Sequence, residues 1–204
     1  MMLEARALGF AHPEGPPLFT DATLAIAPGE IVGLHGPSGI GKSTLGRLLS
    51  GHLAPGWGAV LLDGAPLRMA GFCPVQYLGQ SPMHMVNPRW RVGAILSEAS
   101  APEPKTLAAL GIAEGWSARY PHELSGGQLQ RVAIARALAP GLRFLVADEI
   151  STMLDAITQA EIWAFLTRLA AERGIGILAI SHDRALLEAV ATRTLEFREI
   201  ALGP

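Results

Sequence analysis

The stretch GPSGIGKST, residues 36–44, concentrates glycines, a lysine and hydroxyl side chains in a short segment. The spacing Gly36-x4-Gly41-Lys42-Ser43 fits the P-loop pattern, in which a glycine-rich backbone cradles the phosphates of a nucleotide. A glycine-rich turn that caps a helix is the alternative, and the pattern alone does not exclude it. The flanking residues therefore decide between the two interpretations.

The flanks supply the strand and the helix that a P-loop requires. Before the loop, EIVGLH (30–35) is a short, mostly apolar run typical of a buried strand. After it, Leu45, Leu48 and Leu49 stand at the i, i+3 and i+4 positions of an amphipathic helix, and Gly51 is expected to cap its end. Strand, loop and helix in this order favour a nucleotide-binding loop.

This loop is expected to bind the phosphates of a nucleotide. Glycines let successive backbone N–H groups turn inward, and the helix that follows points the positive end of its dipole at the anion. Lys42 is expected to reach the β- and γ-phosphates, and the Ser43 hydroxyl to coordinate Mg²⁺. The residues expected to contact the nucleotide here are Gly36, Pro37, Ser38, Gly39, Ile40, Gly41, Lys42, Ser43 and Thr44.

The composition predicts one large α/β domain rather than a membrane protein. A chain of 204 residues can bury a sizeable core. Hydrophobic residues make up 50% of it, yet apolar stretches such as RFLVA and GIGILAI are far shorter than the ~20 residues that span a bilayer. The formal net charge of −2 gives no basic surplus for nucleic-acid binding.

The hydrophobic pattern divides the chain into a strand-rich start and a helical middle. Residues 1–35 are predicted to form short antiparallel strands between Pro/Gly turns, with further strands around AVLLDG and GFCPVQYLGQ. From Ser81 to about Leu138 the pattern is helical, with a loop at SEASAPEPK (97–105). The apolar runs at 142–149 and 175–182 are predicted to be buried strands.

A second motif, LSGGQ at residues 124–128, precedes the helical run LQRVAIARALA. Locally, Ser125 and Gln128 form a capping box at the start of a helix. A cap does not need two glycines, however. Gly126 and Gly127 leave the helix N-terminus bare, so that a phosphate can approach its N–H groups.

With these two motifs, the chain resembles the nucleotide-binding subunit of an ABC transporter along nearly its whole length. The resemblance implies an α/β P-loop NTPase cassette of the ABC type, with a small antiparallel β layer and a shortened helical subdomain. Residues 1–204 are expected to form a single ATPase domain that contains this subdomain at about 81–138. In that family two cassettes face each other head to tail and enclose two ATP molecules. The residues expected to bind the partner's nucleotide are Ser125, Gly126, Gly127, Gln128 and Asp155.

The apolar segment FLVADE (144–149) ends in two carboxylates. By resemblance to the family, Asp148 is expected to hold Mg²⁺ as an oxygen ligand, and Glu149 to polarise the water that attacks the γ-phosphate. The alternative is a solvated strand end. The strongly apolar interior of the strand favours the catalytic interpretation.

Three further residues are expected, by resemblance, to have the functions that the family has at these positions. Gln80, after QYLG, is expected to contact Mg²⁺ and the attacking water, and to couple nucleotide state to the membrane partner. His182 in AISHD is expected to contact the γ-phosphate; on its own it would be an ordinary strand-end histidine. His12 stands where the family usually has a tyrosine that stacks on adenine, and an imidazole stacks more weakly.

Two positions depart from the family pattern. The loop usually read as Ser-Ala-Leu-Asp is Thr152-Met153-Leu154-Asp155 here, and Ile150 stands where a proline commonly follows the glutamate. Leu154 and Asp155 keep the key positions. A working interface between the two cassettes is therefore expected.

The segments VNPRWRVGAILSE and RYPHELSGGQ resemble the dipeptide, oligopeptide and nickel importer branch. The stretch from Gln80 to Leu124 is shorter than usual, and the cysteine-containing C-terminal extension of many peptide cassettes is missing, which leaves nickel or another metal complex open as cargo. In PMHMVNP, Met83, His84 and Met85 invite a soft-metal interpretation, which is disfavoured because metal sites normally recruit more ligands than one short run supplies.

The main hypothesis is an ATPase subunit of an importer. Its expected partners are a second cassette in a homodimer or heterodimer, integral membrane permease subunits and, indirectly, an extracytoplasmic substrate-binding protein. The expected location is the cytoplasmic face of the cell membrane. The alternatives are an exporter cassette, often fused to its membrane domain, and a soluble ABC ATPase acting on DNA or ribosomes, which usually carries coiled coils or basic arms.

Overall fold

A computed structural model describes residues 1–13, 15–67, 71–152 and 154–201. The chain forms two β-sheets with helices packed between and beside them. The strands are β1 Leu3–Ala11, β2 Pro17–Ile26, β3 Ile31–His35, β4 Trp57–Leu62, β5 Ala65–Pro66, β6 Val75–Leu78, β7 Phe144–Asp148, β8 Gly176–Ser181 and β9 Arg193–Glu196. The helices are α1 Lys42–Leu49, α2 Val92–Leu96, α3 Pro104–Ala109, α4 Gly126–Ala137, α5 Ala156–Arg173, α6 Arg184–Val190 and α7 Phe197–Ala201.

The smaller sheet is antiparallel and has the order β2-β1-β4-β5. Its first two strands pair from Leu3 with Ile26 to Ala11 with Pro17. The predicted antiparallel layer ahead of the P-loop is therefore confirmed, and the strand around AVLLDG joins it as β4.

The larger sheet is parallel, with the order β6-β7-β8-β3-β9. Every residue of β7 and of β8 is buried. Alternate residues of β7 face two different cores: Val146 packs with α1 and the antiparallel sheet, and Leu145 packs with α4 and α5. Coverage on both faces is why the predicted strands at 142–149 and 175–182 read as continuous apolar runs.

The P-loop lies between β3 and α1, as predicted. Leu45, Leu48 and Leu49 of α1 are fully buried. The C-cap is Ser50, one residue earlier than expected; Gly51 follows it with φ of 73°, the left-handed conformation that commonly ends a helix.

The segment between β6 and β7 contains α2, α3 and α4, as its helical pattern predicts. The predicted loop at 97–105 was drawn too long, because Pro104 and Lys105 already belong to α3. Proline is favoured at the first position of a helix, where its missing N–H costs nothing. The single-domain organisation and the subdomain limits of 81–138 stay predictions.

Within the described ranges, no helix combines the length and the apolar character needed to cross a bilayer.

Candidate functional site

The carboxyl ends of four parallel strands meet at one cavity of about 390 Å³. The P-loop follows β3, Gln80 lies beyond β6, Glu149 follows β7 and His182 follows β8. This edge of a parallel sheet is where open α/β folds bind ligands. The predicted residues that line the cavity are His12, Ser38, Gly39, Gly41, Lys42, Ser43, Thr44, Gln80, Asp148, Glu149 and His182.

The P-loop wraps around one side of this cavity because its glycines take conformations that other residues avoid. Gly39 has φ of 79° and Gly41 has φ of 115°. A Cβ on Gly41 would lie 3.2 Å from Leu18, so the loop passes close to β2 at this point. Gly36, Pro37 and Ile40 are not among the lining residues; Ile40 packs against the core instead.

Lys42 points into the loop. Its Nζ donates to the carbonyl oxygens of Gly36 at 2.6 Å and of Pro37 at 2.9 Å, and the residue is only 6% exposed. Burial lowers the pKa of the Lys42 amine, and the charges of Glu149 and Asp148 oppose that shift. The ammonium is therefore held at the cavity wall by backbone oxygens, with two carboxylates nearby.

Asp148 is buried and keeps one oxygen without a partner. Its Oδ2 accepts a hydrogen bond of 2.5 Å from the hydroxyl of Tyr77. Its Oδ1 is buried and has no hydrogen-bond partner among the described residues. Burial, together with the hydrogen bond and the charge of Asp148, raises the pKa of Tyr77 well above its usual range. An unpaired buried carboxylate oxygen is the feature expected of a metal ligand.

Sequence reasoning missed Tyr77, although a signal was present. Tyr77 of β6 lies opposite Val146 of β7, and Asp148 stands two residues further on. Side chains two apart on a strand share one face. The tyrosine in an apolar strand was the sequence signal, and only the register of the two strands shows that it contacts Asp148.

Glu149 is held in an unusual backbone conformation beside His182. Its φ is 54°, a left-handed value that costs a non-glycine residue about 1–3 kcal/mol. Oε1 of Glu149 lies 2.8 Å from Nδ1 of His182 and also accepts from the backbone N–H of His182 at 3.0 Å. The Glu149 side chain is 14% exposed and that of His182 is 59% exposed. The structure thus brings together these two predicted residues.

A second hollow of about 310 Å³ adjoins the first and is lined by Ser43, Gln80 and Asp148. These are the three predicted Mg²⁺ ligands. A hydroxyl, an amide oxygen and a carboxylate are the oxygen donors that Mg²⁺ prefers, and it usually completes its shell with water and substrate phosphates. Over the described residues, no group of three His, Cys, Asp or Glu side chains is placed to hold a metal ion.

His12 is exposed, follows directly after β1 of the antiparallel sheet and lines the cavity. Its ring meets Phe10 edge to face, with centroids 5.2 Å apart. Leu18 lines the same cavity. An apolar side chain and an aromatic ring therefore line this cavity together.

The LSGGQ residues lie elsewhere on the chain. Ser125 caps α4: its Oγ accepts from the backbone N–H of Gln128 at 3.2 Å, and the Gln128 side chain accepts from the Ser125 N–H at 3.0 Å. The predicted capping box is present. A Cβ at Gly126 would meet no heavy atom of the described chain within 4 Å, so the helix start is open.

The LSGGQ motif is called the signature from here on. Three of its residues line a separate cavity of about 460 Å³ together with two residues just before and at the start of α5: Ser125, Gly127, Gln128, Leu154 and Asp155. None of them lines the P-loop cavity. Asp155 caps α5 by accepting from the backbone N–H groups of Ile157 and Thr158, and these hydrogen bonds lower its pKa. Met153 lies outside the described residues.

The cavity at the P-loop and the cavity at LSGGQ share no lining residue, as the resemblance to a head-to-tail cassette implies. Independently, the sequence model of the family described as ABC transporter matches residues 19–152. The chain belongs to the ABC transporter family. The resemblance stated from the P-loop and LSGGQ is confirmed, and so is the predicted class, an ATP-binding ATPase subunit.

Curated relatives include importer subunits of two kinds. The chain is 37% identical over 203 residues to the nickel import ATP-binding protein NikE of Rhodospirillum rubrum, covering 89% of this chain and 73% of that protein. It is 33% identical to the oligopeptide transport ATP-binding protein OppF of Haemophilus influenzae, covering 93% of this chain and 63% of that protein. The predicted resemblance to the peptide and nickel branch is thus confirmed, although the chain spans less than two thirds of the oligopeptide relative.

Solved structures show the same fold. CbiO1 of Clostridium perfringens, part of the ABC transporter complex cbiONQ, superimposes with a TM-score of 0.79 at 25% identity, covering 95% of this chain and 83% of that one. The ATP-binding subunit of another ABC transporter gives a TM-score of 0.83 at 22% identity, covering 96% and 85%. The predicted ABC-type cassette is confirmed as the fold.

Proposed function

We propose that this chain hydrolyses ATP to power a membrane importer of the peptide or nickel type, through ATP-driven closure of a head-to-tail pair of cassettes. The observation that carries the proposal is the separation of the P-loop cavity from the signature cavity. Each is half of a nucleotide site, and a second cassette supplies the other half.

ATP is bound first by the P-loop cavity. The base stacks on His12 beside Leu18, and the phosphates lie against the N–H groups of the loop and the start of α1. Lys42 leaves the carbonyl oxygens of Gly36 and Pro37 and pairs with the phosphates. Its ammonium is already at the wall of the cavity, so this exchange needs only a side-chain movement.

Ser43, Gln80 and Asp148 would hold Mg²⁺. The fit rests on Oδ1 of Asp148, which is buried and unpaired in the described chain. When bound, the ion neutralises charge on the phosphate oxygens. The three residues would supply neutral and anionic oxygens from the start of α1, from beyond β6 and from the end of β7.

Glu149 acts as the base that polarises the attacking water. Its carboxylate is mostly buried and is held by the ring and by the backbone N–H of His182. These contacts fix the orientation of the carboxylate. The strained backbone of Glu149 sets the direction in which the side chain leaves the end of β7. His182, being more than half exposed, can also reach the γ-phosphate.

Closure of the pair brings the partner's signature onto the γ-phosphate. Ser125, Gly126, Gly127 and Gln128 present a helix N-terminus whose side is open, and Asp155 lies in the same hollow. ADP lacks the phosphate that these groups contact. Hydrolysis therefore releases the pair, and opening and closing drive the membrane partner.

The docking surface for the permease subunits is the exposed stretch after Gln80. Met83 is 37% exposed and Trp90 is 42% exposed. Apolar side chains on the surface mark interaction sites when they cluster. In this proposal the chain lies at the cytoplasmic face of the membrane and works with an extracytoplasmic binding protein.

The test is uptake of labelled cargo by the cells from which the chain comes, with Lys42→Ala introduced into its own gene. Loss of uptake of either a labelled oligopeptide or labelled Ni²⁺, with the variant chain present at normal amounts, supports the importer and names its cargo. Normal uptake of both, with the variant unable to bind ATP, contradicts it.

A further inference from the structure

The hydroxyl of Tyr77 touches a proposed Mg²⁺ ligand, yet the mechanism above gives Tyr77 no role. It donates to Oδ2 of Asp148 at 2.5 Å. Tyr77 is 8% exposed and Asp148 is 3% exposed, so water does not compete for this bond. Hydrogen bonds to an ionised oxygen are short and among the strongest in proteins.

The surrounding chain is shaped to hold the Tyr77 ring. A Cβ on Gly46 of α1 would lie 3.3 Å from a ring carbon, and a Cβ on Gly79 would lie 3.1 Å from another. At Gly79 the ring is the nearest neighbour, so a larger side chain there would press on it; at Gly46 a Cβ would also meet Val146 at 2.9 Å and Ile180 at 3.1 Å. Two glycines on different elements therefore leave the space that the ring fills.

A third contact comes from Arg47. Its guanidinium lies over the Tyr77 ring, 5.9 Å from the centroid. Arg47 stands four residues after Ser43 on α1, so the two side chains share a helix face. The ring is thus fixed by the same helix that presents the Ser43 hydroxyl to the metal-binding hollow.

We propose that Tyr77 is a positioning residue for Asp148: by occupying Oδ2 it locks the carboxylate so that Oδ1 faces the Mg²⁺ site. This inference rests on the proposed function. Without the hydroxyl, both oxygens of a buried carboxylate lack a partner, and the group is free to rotate about its last torsion. Loss of the hydroxyl is then expected to weaken metal binding and to leave the contacts between ATP and the P-loop unchanged.

The test is the affinity for Mn²⁺, used as the probe for Mg²⁺ and followed by the electron paramagnetic resonance of the free ion, with the full chain in excess over ATP so that little free nucleotide is left to chelate the ion. Tyr77→Phe keeps the ring and removes only the hydroxyl. The loss of one hydrogen bond to a charged group is expected to raise the Kd for Mn²⁺ about tenfold. ATP binding measured without metal is expected to stay unchanged.

Two controls separate positioning from general damage. Tyr120→Phe removes the hydroxyl of the other tyrosine in the sequence, outside the residues that line either hollow, and is expected to leave the Mn²⁺ affinity as in wild type. In an Asp148→Ala background, Tyr77→Phe is expected to add no further loss, because the group through which it acts is gone. If Tyr77→Phe does not fold, Gly79→Ala, which crowds the ring, is expected to weaken Mn²⁺ binding in the same direction.

Three results would overturn the inference. An unchanged or tighter Mn²⁺ affinity in Tyr77→Phe, or in Gly79→Ala where it is the variant used, removes the positioning role. An equal loss in the Asp148→Ala background shows that Tyr77 acts by another route. If wild type binds no ATP even with Mg²⁺ present, the proposed function fails first, and this inference fails with it.

Discussion

Oε1 of Glu149 receives two contacts from His182, one from the ring Nδ1 at 2.8 Å and one from the backbone N–H at 3.0 Å. The two residues follow adjacent parallel strands, and the backbone N–H of Glu149 in turn donates to the carbonyl of Ile180. The Glu149 carboxylate is therefore oriented by the next strand of the sheet. The contacts with His182 explain how Glu149 keeps a fixed side-chain orientation although its backbone is strained.

The ring contact predicts the effect of removing the imidazole. His182→Ala is expected to lower kcat for ATP hydrolysis about ten- to hundredfold, the effect of one hydrogen bond to a charged group, because Glu149 keeps its backbone contact but loses the ring. ATP affinity is expected to change little. His122→Ala, which removes a ring stacked on Tyr120, is the matched control and is expected to hydrolyse ATP as wild type does. A collapse of ATP affinity in His182→Ala would contradict this role.

Ser125 is expected to have two roles, capping α4 and contacting the partner's γ-phosphate, and substitutions that keep the cap can separate them. Aspartate and asparagine both cap helices as well as serine does. Ser125→Asp is therefore expected to keep the stability of the monomer and its ATP affinity but to abolish ATP-dependent pairing, because its carboxylate faces the partner's γ-phosphate.

Ser125→Asn is the uncharged control for that change and is expected to pair more readily than Ser125→Asp. Analytical ultracentrifugation with Mg-ATP measures the pairing, and calorimetric titration measures the ATP affinity. Loss of ATP binding by the Ser125→Asp monomer would show that the signature acts on its own nucleotide.

Lys42→Met replaces a buried ammonium by an uncharged chain of similar length. ATP binding is expected to be lost, because the phosphates lose their cation. Unfolding is expected to become easier by no more than about 1–3 kcal/mol, since two hydrogen bonds to loop carbonyls disappear. Denaturant titration and an ATP binding curve on the same sample give both values. Wild-type ATP affinity in the variant would remove Lys42 from the site.

Asp155 is expected to make the stability of the folded chain depend on pH. Hydrogen bonds at the start of α5 lower its pKa in the folded chain, so the unfolded chain binds the proton more readily. Its contribution to stability is therefore present above the usual aspartate pKa of about 3.9 and is lost as the pH falls through the lower folded value.

Asp155→Asn keeps the cap but does not titrate. The stability advantage of wild type over this variant, measured by denaturant unfolding, is expected to shrink as the pH falls below about 4. An advantage that is constant over this range would mean that the carboxylate charge does not support α5.

Sequence patterns predicted the framework of the site because burial on both faces leaves a clear signal. The apolar runs of β3, β7 and β8 are strands, and the residues that follow them meet at one sheet edge. The helix start at Ser125 was equally predictable, since a serine and a glutamine three residues apart satisfy each other locally.

Other features could not be predicted because they depend on contacts between distant elements. β9 has no apolar run and half of it is exposed, so only its pairing with β3 makes it a strand. The bonds of Lys42 to Gly36 and Pro37 depend on the path of the loop. The contact of Tyr77 with Asp148 could be found only from the register between β6 and β7.

ATP is expected to join the P-loop of one cassette to the signature of another. Glu149→Gln removes the charge that polarises water but keeps the size of the side chain, and loss of a general base slows hydrolysis by about 10²–10⁴. Size-exclusion chromatography of this variant is the most direct test. We expect a dimer in Mg-ATP, a monomer in Mg-ADP, and a monomer in both when Ser125→Asp is added. A Glu149→Gln chain that binds Mg-ATP yet elutes in the same position with ATP as with ADP would contradict this expectation.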